Sequence, residues 1–284
     1  MDEVGLGKRL QQARKKAGLT QQELCQKANL SYSTLAKIER GAIKAPSIFT
    51  IQNIAAALGT DMNELMGVLS PSTPLAANTK KRSKSGIRFA YFDINGCLVR
   101  FFHRAFSRLA EETGVQSDVI ETAFWHYNDA VCRGELPLAD FNRILAERLG
   151  IEHLDWQEYY MQAVEPIPEM RELVAWASQN YQIGLLSNIM PGFIKIMMER
   201  DLLPRLPFST IIDSSEVHAI KPEMRIFETA QQMAGVEPQE ILFVDDSRTN
   251  IMAAESMGWH VLWFDDYRPD ESVARVRDAL EPED

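Results

Sequence analysis

Polar side chains follow several apolar segments in the part of the chain after residue 86, where strands of a parallel sheet would end. An aspartate ends the apolar segment of residues 87–92, a serine and an asparagine follow residues 182–186, and two aspartates follow residues 241–244. A lysine precedes the helical pattern of residues 223–234. Because the carboxyl ends of parallel strands meet at one edge of a sheet, these side chains are expected to converge. The set is Asp93, Ser187, Asn188, Lys221, Asp245 and Asp246.

The chemistry of this set suits phosphate and a metal ion. Asp93 and Asp246 supply hard carboxylate oxygens, which Mg²⁺ takes together with water and phosphate oxygens. The Ser187 hydroxyl can hold a phosphate oxygen, and Lys221 offsets the anionic charge. Asp93 can attack phosphorus to give an aspartyl-phosphate.

The residue two positions after Asp93 is Asn95, where a second carboxylate would serve as general acid. An amide can neither protonate a leaving oxygen nor activate water. Losing general acid–base catalysis typically lowers a rate about 10²–10⁴-fold. His126, in the helical segment that follows, is a candidate replacement acid. Asn95 therefore leaves two interpretations open, a site that catalyses and a site that only binds.

Strand and helix patterns alternate after residue 87 and must position these side chains. Strands are expected at residues 87–92, 182–186, 209–212, 241–244 and 260–264. Helices are expected at residues 102–149, 155–164, 170–180, 192–201, 223–234 and 250–258. The alternation predicts an α/β, Rossmann-like parallel sheet covered on both faces. The helical insertion at about residues 101–168 is expected to lie over the sheet edge as a cap.

Residues 1–68 predict a separate all-α domain of five short helices. Thr20 and Glu23 form a capping box, Ser31 or Ser33 begins the third helix, and Ser47 caps the fourth. The helices are expected at residues 5–17, 21–28, 32–40, 48–58 and 62–66. The tight turn between the second and third is typical of a helix-turn-helix domain. Residues 69–86, rich in Ser, Thr and Pro, predict a flexible linker to the domain of residues 87–284.

Charge is divided unevenly along the chain. Residues 1–68 carry nine Lys/Arg and six Asp/Glu, whereas residues 88–284 carry 17 and 34. Residues 1–68 thus form a basic head, and residues 88–284 form an acidic body. This division predicts that only the basic head binds nucleic acid. The sequence contains neither an apolar run of about 18 residues nor the apolar core of a signal peptide. No membrane segment is therefore expected. The three cysteines form no CxxC pattern and are expected to be buried thiols in a reducing cytoplasm.

The stretch TQQELCQKANLSYSTLAKIERG resembles the helix-turn-helix of Cro and phage-repressor (Xre-type) regulators, and the resemblance covers about residues 4–66. It implies that residues 32–40 are the recognition helix and that a homodimer binds a double-stranded DNA operator. It also implies a structural ion pair between Arg14 and Glu39. The implied base-edge contacts are Tyr32, Ser33 and Lys37, and the implied phosphate contacts are Gln21, Arg40 and Lys44.

The motifs DxNGCLV, LLSN, KPEMRIF and VDDSRTN occur in this order and resemble the haloacid-dehalogenase-like (HAD) phosphatase superfamily over about residues 87–270. The resemblance implies Asp93 as nucleophile. It implies Mg²⁺ held by Asp93, the backbone carbonyl of Asn95 and Asp246, with Asp245 in support. It implies phosphate binding by Ser187, Asn188 and Lys221. Most phosphatases of that superfamily have aspartate where this chain has Asn95.

These patterns are compatible with three functions. The leading interpretation is a cytoplasmic DNA-binding transcriptional regulator. Its HAD-like domain senses a phosphorylated small molecule, dimerises, or both, and its phosphatase activity is weak or absent. The alternative is an active Mg²⁺-dependent phosphatase of sugar-phosphate-like substrates with an autoregulatory DNA-binding head. In the third, the HAD-like domain only dimerises and its pocket is vestigial.

Overall fold

The computed structural model describes residues 6–28, 30–43, 46, 48–58 and 80–282. The chain divides into two compact units, residues 1–78 and residues 79–284, and the division lies within the predicted linker. Among the described residues, no helix combines the length and the apolar character needed to cross a membrane.

The first unit is helical, as the sequence predicted. Its described helices are α1 (Leu6–Lys16), α2 (Gln21–Ala28), α3 (Tyr32–Glu39) and α4 (Ile48–Leu58). Their apolar faces meet in one core of buried side chains that includes Leu10, Leu24, Leu35, Ile38 and Ile54. The predicted fifth helix at residues 62–66 and the predicted cap Ser47 lie outside the described residues.

Local side-chain hydrogen bonds define the ends of α2 and α3. The Glu23 carboxylate accepts from the Thr20 amide at 2.7 Å, and the Thr20 hydroxyl accepts from the Glu23 amide at 3.2 Å. This reciprocal pair is the predicted capping box. Ser31, rather than Ser33, caps α3, because its hydroxyl accepts from the Thr34 amide at 3.1 Å.

A buried ion pair ties α1 to α3. The Arg14 guanidinium donates to both Glu39 carboxylate oxygens, at 2.7 and 3.1 Å, and the Glu39 side chain is 1% exposed. Burial alone would raise the pKa of Glu39, but hydrogen bonds from Arg14 and Gln21 outweigh burial and hold that pKa below its usual range. The predicted structural pair is therefore present, and both Glu39 carboxylate oxygens accept hydrogen bonds.

The second unit contains a five-stranded parallel sheet, which confirms the predicted α/β class. The strands are β1 (Phe89–Phe92), β2 (Gln182–Ser187), β3 (Thr210–Asp213), β4 (Ile241–Asp245) and β5 (His260–Trp263). Their order across the sheet is β3-β2-β1-β4-β5. The central strand β1 pairs with β2 on one side and β4 on the other, with Phe92 opposite Leu185 and Val244.

Both faces of the sheet are buried. This burial explains why polar and apolar residues do not alternate along β1. Ala90 and Phe92 belong to one hydrophobic core, whereas Phe89 and Tyr91 belong to another on the opposite face. Successive strand residues point to opposite faces, so a strand covered on both sides must be apolar throughout. The first polar side chain after β1 is therefore Asp93, at the edge of the sheet.

Helices cover the sheet and form a cap after β1. The cap helices are α5 (His103–Thr113), α6 (Ser117–Cys132), α7 (Leu138–Leu149) and α8 (Trp156–Ala163). The remaining helices are α9 (Pro168–Asn180), α10 (Phe193–Glu199), α11 (Ser214–Val217), α12 (Met224–Ala234), α13 (Arg248–Ser256) and α14 (Pro269–Ala279), with a 3₁₀ turn at Pro238–Glu240. The prediction of one helical segment over residues 102–149 was too coarse, since turns at Gly114 and at residues 133–137 divide it.

The end of the predicted linker belongs structurally to the second unit. Ser83 pairs with Pro282 in an isolated antiparallel bridge, and the Lys81 amide donates to the Asn180 carbonyl at 2.6 Å. Lys84 pairs with Glu281 at 2.7 Å. Residues 80–86 are thus held by backbone and charge contacts that composition does not reveal.

We expect Arg14→Leu to lower the free energy of unfolding of the first unit by about 3 kcal/mol, because Glu39 would remain buried without its partner. All five tryptophans lie within residues 125–263. Urea unfolding of the full chain followed by tryptophan fluorescence therefore reports the second unit only, whereas far-UV circular dichroism reports both. In the variant, the circular-dichroism transition of the first unit is expected at a lower urea concentration, and the fluorescence transition is expected to be unchanged.

Lys15→Leu, at an exposed site on the same helix, is the control. Equal effects of the two substitutions would contradict the prediction.

Candidate functional site

The buried Lys221 ammonium joins the ends of three strands. It lies 2.8 Å from Asp93 Oδ1, after β1, and 2.5 Å from Asp245 Oδ2, at the end of β4. It also donates to the carbonyl of Leu186, in β2, at 2.9 Å. The Lys221 side chain is 1% exposed. The predicted convergence of Asp93, Lys221 and Asp245 is therefore present in the structure.

Asp245 is held from several sides and is completely buried. Its Oδ1 accepts from the Ser247 amide at 2.7 Å and from the Asn250 side chain at 3.0 Å, while Oδ2 faces Lys221. These bonds orient the carboxylate toward the ammonium. Asn250 contributes from the first turn of α13 and was missing from the predicted set, although it lies in the VDDSRTN motif.

Asn188 contacts the backbone of the lysine rather than its ammonium. Its amide donates to the Lys221 carbonyl at 2.8 Å and accepts from the Lys221 amide at 2.7 Å. This two-point bond connects the loop after β2 to the loop that carries Lys221. The geometry thus makes Asn188 a residue that positions Lys221, while its predicted contact with phosphate stays a prediction.

Asp246 lies against the turn after β1. A Cβ built on Gly96 would lie 2.1 Å from Asp246 Oδ2, and Gly96 has φ +80°. A side chain at that position would therefore occupy the space of the carboxylate. The Trp263 indole donates to the Asp246 carbonyl at 2.6 Å, and the Arg248 guanidinium lies 4.4 Å from the Trp263 ring centroid.

The charges of this cluster are not balanced by its own residues. Burial is the main cause that raises the pKa of Asp93 to about 6, against the lowering effect of Lys221. Burial, then the charges of Asp93 and Asp245, raise the pKa of Asp246 to about 7. Burial alone would lower the pKa of Lys221, but Asp245 and Asp93 outweigh burial and raise it. Three carboxylates thus face one ammonium.

The donor set fits a divalent cation and an oxyanion. Carboxylate oxygens of Asp93, Asp245 and Asp246 lie within 4.8 Å of one another, and carboxylate oxygens are the protein ligands that Mg²⁺ prefers. A divalent cation would offset the two carboxylates that Lys221 leaves unbalanced. The buried Ser187 hydroxyl has no hydrogen-bond partner among the described residues. Because buried polar groups are normally hydrogen-bonded, this hydroxyl is suited to a ligand oxygen.

Asn95 is 8% exposed and contacts the cap. Its Oδ1 accepts a hydrogen bond from the Tyr160 hydroxyl, in α8, at 2.6 Å. The Tyr160 ring packs against Phe102 and Phe193, with ring centroids 5.1 and 4.9 Å apart. Tyr160 was missing from the predicted set, because it lies 65 residues from Asn95 in the chain and no motif marks it.

The cap histidine proposed as replacement acid lies elsewhere. His126 is exposed, and its ring packs edge-on against Tyr127. It is not among the residues that line the cavity beside Asn95. Arg133, at the end of α6, pairs instead with Glu223 at 2.6 Å, and the His218 ring donates to the Arg133 carbonyl at 2.9 Å. These contacts join the cap to the loop that carries Lys221.

Among the predicted DNA-contacting residues of the first unit, Gln21 lies on α2, Tyr32, Ser33 and Lys37 lie on α3, and Arg40 directly follows α3. Tyr32, Ser33, Lys37 and Arg40 are exposed. The Gln21 side chain, at the start of α2, donates to Glu39 at 2.7 Å and is thereby oriented by the buried ion pair. Lys44 lies outside the described residues. Contacts of these residues with DNA stay a prediction.

Comparison with known proteins identifies both parts of the chain. Residues 87–258, more than half of the chain, match the family model of haloacid dehalogenase-like hydrolases. Residues 10–65 match a helix-turn-helix family model. The two matches coincide with the α/β unit and the helical unit.

Relatives and solved structures match one part each. A phosphoglycolate phosphatase of Pseudomonas putida is 26% identical over 182 residues, 60% of this chain and 66% of that protein. The immunity repressor protein of Bacillus phage phi105 is 44% identical over 62 residues, 22% of this chain and 42% of that protein. The chain thus spans less than two thirds of either relative.

A solved structure resembles the second unit. It is a HAD family enzyme variant from Bacteroides thetaiotaomicron in complex with magnesium and inorganic phosphate. It matches 63% of this chain and 94% of its own length, with a TM-score of 0.54 and 20% sequence identity. At that identity the likeness shows the fold alone.

We expect Gly96→Ala to destabilise the second unit more than Gly114→Ala. Both glycines have positive φ, +80° and +73°, so alanine is strained at either position by about 1 kcal/mol. Only at Gly96 does the added Cβ meet a neighbour, the Asp246 carboxylate, whereas nothing lies within 4 Å at Gly114. Urea unfolding followed by tryptophan fluorescence measures both losses. Equal losses would show that Asp246 does not approach Gly96 this closely.

Proposed function

Because the chain belongs to the haloacid dehalogenase-like hydrolases and joins that fold to a helix-turn-helix domain, we propose that it is a DNA-binding transcriptional regulator. Its second unit senses a phosphorylated small molecule together with Mg²⁺, and turnover there is weak or absent. The regulator acts as a homodimer on a double-stranded operator.

One observation carries the proposal of sensing rather than catalysis. The cluster of Asp93, Lys221 and Asp245 is complete, with oxygen–nitrogen distances of 2.8 and 2.5 Å. The residue two positions after Asp93 is nevertheless an amide, and a buried tyrosine hydroxyl holds its oxygen. An amide cannot transfer a proton to a leaving oxygen, so the site keeps the means to bind an anion without this acid.

Each residue has a defined part in ligand binding. Asp93, the backbone carbonyl of Asn95 and Asp246 would hold Mg²⁺, which neutralises charge on phosphate oxygens when it is bound. Lys221 provides a fixed positive charge, oriented by Asp245. The Ser187 hydroxyl donates to an anion oxygen. Asp93, Lys221 and Asp245 are bonded to one another before the ligand arrives, which lowers the entropy cost of binding.

The first unit supplies DNA binding. The exposed face of α3 presents Tyr32, Ser33 and Lys37 to base edges, whereas Gln21 and Arg40 contact phosphates. The similarity to the phage immunity repressor over 62 residues supports this part. To shift an equilibrium between two states from 1:99 to 99:1, the ligand must bind one state about 10⁴-fold more tightly.

An active phosphatase with an autoregulatory head is the second candidate. The intact Asp93 favours it, since this carboxylate can attack phosphorus without help from Asn95. Similarity to a phosphoglycolate phosphatase also favours it. The two candidates differ in whether phosphate esters are only bound or also hydrolysed.

We expect Asn95→Asp to raise phosphomonoester hydrolysis about 10²-fold or more over the natural chain, because it restores a proton donor and acceptor. Phosphate release from a panel of phosphomonoesters with Mg²⁺ measures the rates. Asn95→Asp with Tyr160→Phe is the second arm, because it frees the new carboxyl group from the tyrosine hydroxyl. Asp93→Asn is the control and should abolish release. If the natural chain already turns over esters and Asn95→Asp brings no gain, the phosphatase candidate is correct.

We expect substitutions on α3 and at Arg40, the residue that follows it, to separate base contacts from phosphate contacts. Duplexes selected by the full chain from a random pool provide the operator. Lys37→Ala should lose about 1–3 kcal/mol of discrimination at one base pair. Arg40→Ala should weaken binding to all sequences and reduce the slope of log affinity against log salt by about 1. Lys195→Ala, an exposed lysine of α10, should change neither.

The same duplexes test sensing. Operator affinity and thermal stability of the full chain are measured with and without Mg²⁺, inorganic phosphate and 2-phosphoglycolate. A change in operator affinity is expected with at least one phosphate compound. If both quantities stay unchanged with every compound, the sensing proposal is wrong.

A further inference from the structure

Asp246 differs from the other two carboxylates of the site. Lys221 pairs with Asp93 and Asp245, whereas Asp246 forms no ion pair within the described part of the chain. Oxygens of all three carboxylates nevertheless lie within 4.8 Å of one another. Like charges at this separation repel, and Asp246 is only half-buried, so repulsion favours its movement toward solvent when no cation is bound. Its place beside Asp93 and Asp245 therefore depends on a restraint other than an ion pair.

Trp263, the last residue of β5, supplies a restraint on the backbone of Asp246. Its indole Nε1 donates to the Asp246 carbonyl at 2.6 Å. The strand β5 lies at one edge of the sheet and pairs with β4, with Trp263 opposite Asp245. The hydrogen bond therefore ties the residue after β4 to the neighbouring strand. Gly96 approaches the carboxylate itself, since a Cβ built there would lie 2.1 Å from Asp246 Oδ2.

Trp263 is itself held by two helices. The Arg248 guanidinium, at the start of α13, lies over the indole at 4.4 Å from the ring centroid. The Arg275 guanidinium, in α14, donates to the Trp263 carbonyl and to the Ser272 hydroxyl, each at 3.1 Å. Because both the ring and the backbone of Trp263 have partners, its hydrogen bond to Asp246 costs little further rotamer freedom.

From these contacts we infer that Trp263 is a positioning residue for the metal ion, because it holds Asp246 beside Asp93 and Asp245. It acts on the backbone of Asp246 and does not itself supply a ligand atom. Partners that orient a metal ligand in this way typically contribute about 10–100-fold to metal affinity. The inference rests on the proposed function, in which Asp246 is a ligand of Mg²⁺.

Isothermal titration of the full chain with MgCl₂ tests the inference. Trp263→Phe removes the indole N–H and keeps an aromatic ring beneath Arg248. We expect this substitution to weaken Mg²⁺ binding about tenfold, because Asp246 is then free to move away from the other carboxylates.

A second titration separates positioning from a general loss of structure. Inorganic phosphate is titrated into each protein at a Mg²⁺ concentration that saturates it. Once the metal ion is bound, the affinity for phosphate should differ between Trp263→Phe and the natural chain by less than about threefold. A disordered site would lose affinity for both Mg²⁺ and phosphate.

Trp176 provides a matched control. It is also a half-buried tryptophan beneath an arginine, with the Arg277 guanidinium 4.6 Å from its ring centroid. It lies in α9, and its ring packs near Tyr181 rather than against the carboxylates. Trp176→Phe thus removes an equivalent indole, and we expect it to leave the affinity for Mg²⁺ unchanged. If Trp263→Phe does not fold, as judged by circular dichroism, Trp263→Leu replaces it, since leucine also lacks the N–H.

The outcomes distinguish this inference from the proposed function. If the Trp263 and Trp176 variants bind Mg²⁺ as tightly as the natural chain, Trp263 does not position Asp246, and the proposed function stands. If the Trp263 variant loses affinity for phosphate at saturating Mg²⁺ as strongly as it loses affinity for Mg²⁺, its role is general stability and the inference is wrong. If the natural chain binds no Mg²⁺ with or without inorganic phosphate, the proposed function itself is wrong.

Discussion

The structure of the second unit depends on one buried ammonium. Lys221 contacts Asp93 and Asp245 and donates to the carbonyl of Leu186, so it bonds to β2 and β4 and to the residue that follows β1. A charge this deeply buried is tolerated only when it is paired and hydrogen-bonded. The surrounding groups are accordingly fixed as well, Asp245 by Ser247 and Asn250 and the Lys221 backbone by Asn188. The result is a tightly bonded cluster of Asp93, Lys221 and Asp245 whose own charges remain unbalanced.

Two side-chain contacts join that cluster to the cap. The loop that carries Lys221 continues to Glu223, which pairs with Arg133 at the end of a cap helix. On the other side, Tyr160 of the cap bonds to Asn95 of the core. Asp93, Ser187 and Lys221 are all buried, so the two contacts join the cap to the loops that carry this buried cluster.

The two units of the proposed regulator carry net charges of opposite sign. The acidic second unit repels a phosphodiester backbone, so DNA contact is left to the basic head. Within the head, the buried pair of Arg14 and Glu39 has a second effect, since Glu39 also holds the Gln21 side chain at the start of α2. A stabilising ion pair thereby also orients a predicted phosphate contact. The stability of this unit and its predicted phosphate contact are consequently linked through one carboxylate.

Sequence patterns by themselves determined the order of strands and helices, the two-unit organisation and the convergence of Asp93, Lys221 and Asp245. They succeed there because apolar periodicity and strand ends are local properties, and because parallel strands bring their ends to one edge. Only the tertiary structure decided what Asn95 faces, how closely Asp246 approaches Gly96, and that residues 80–86 pack on the second unit. Tyr160 shows the reason. Its position over Asn95 follows from how four cap helices pack on the sheet, and contacts between residues far apart in the chain leave no periodic or local signal in the sequence.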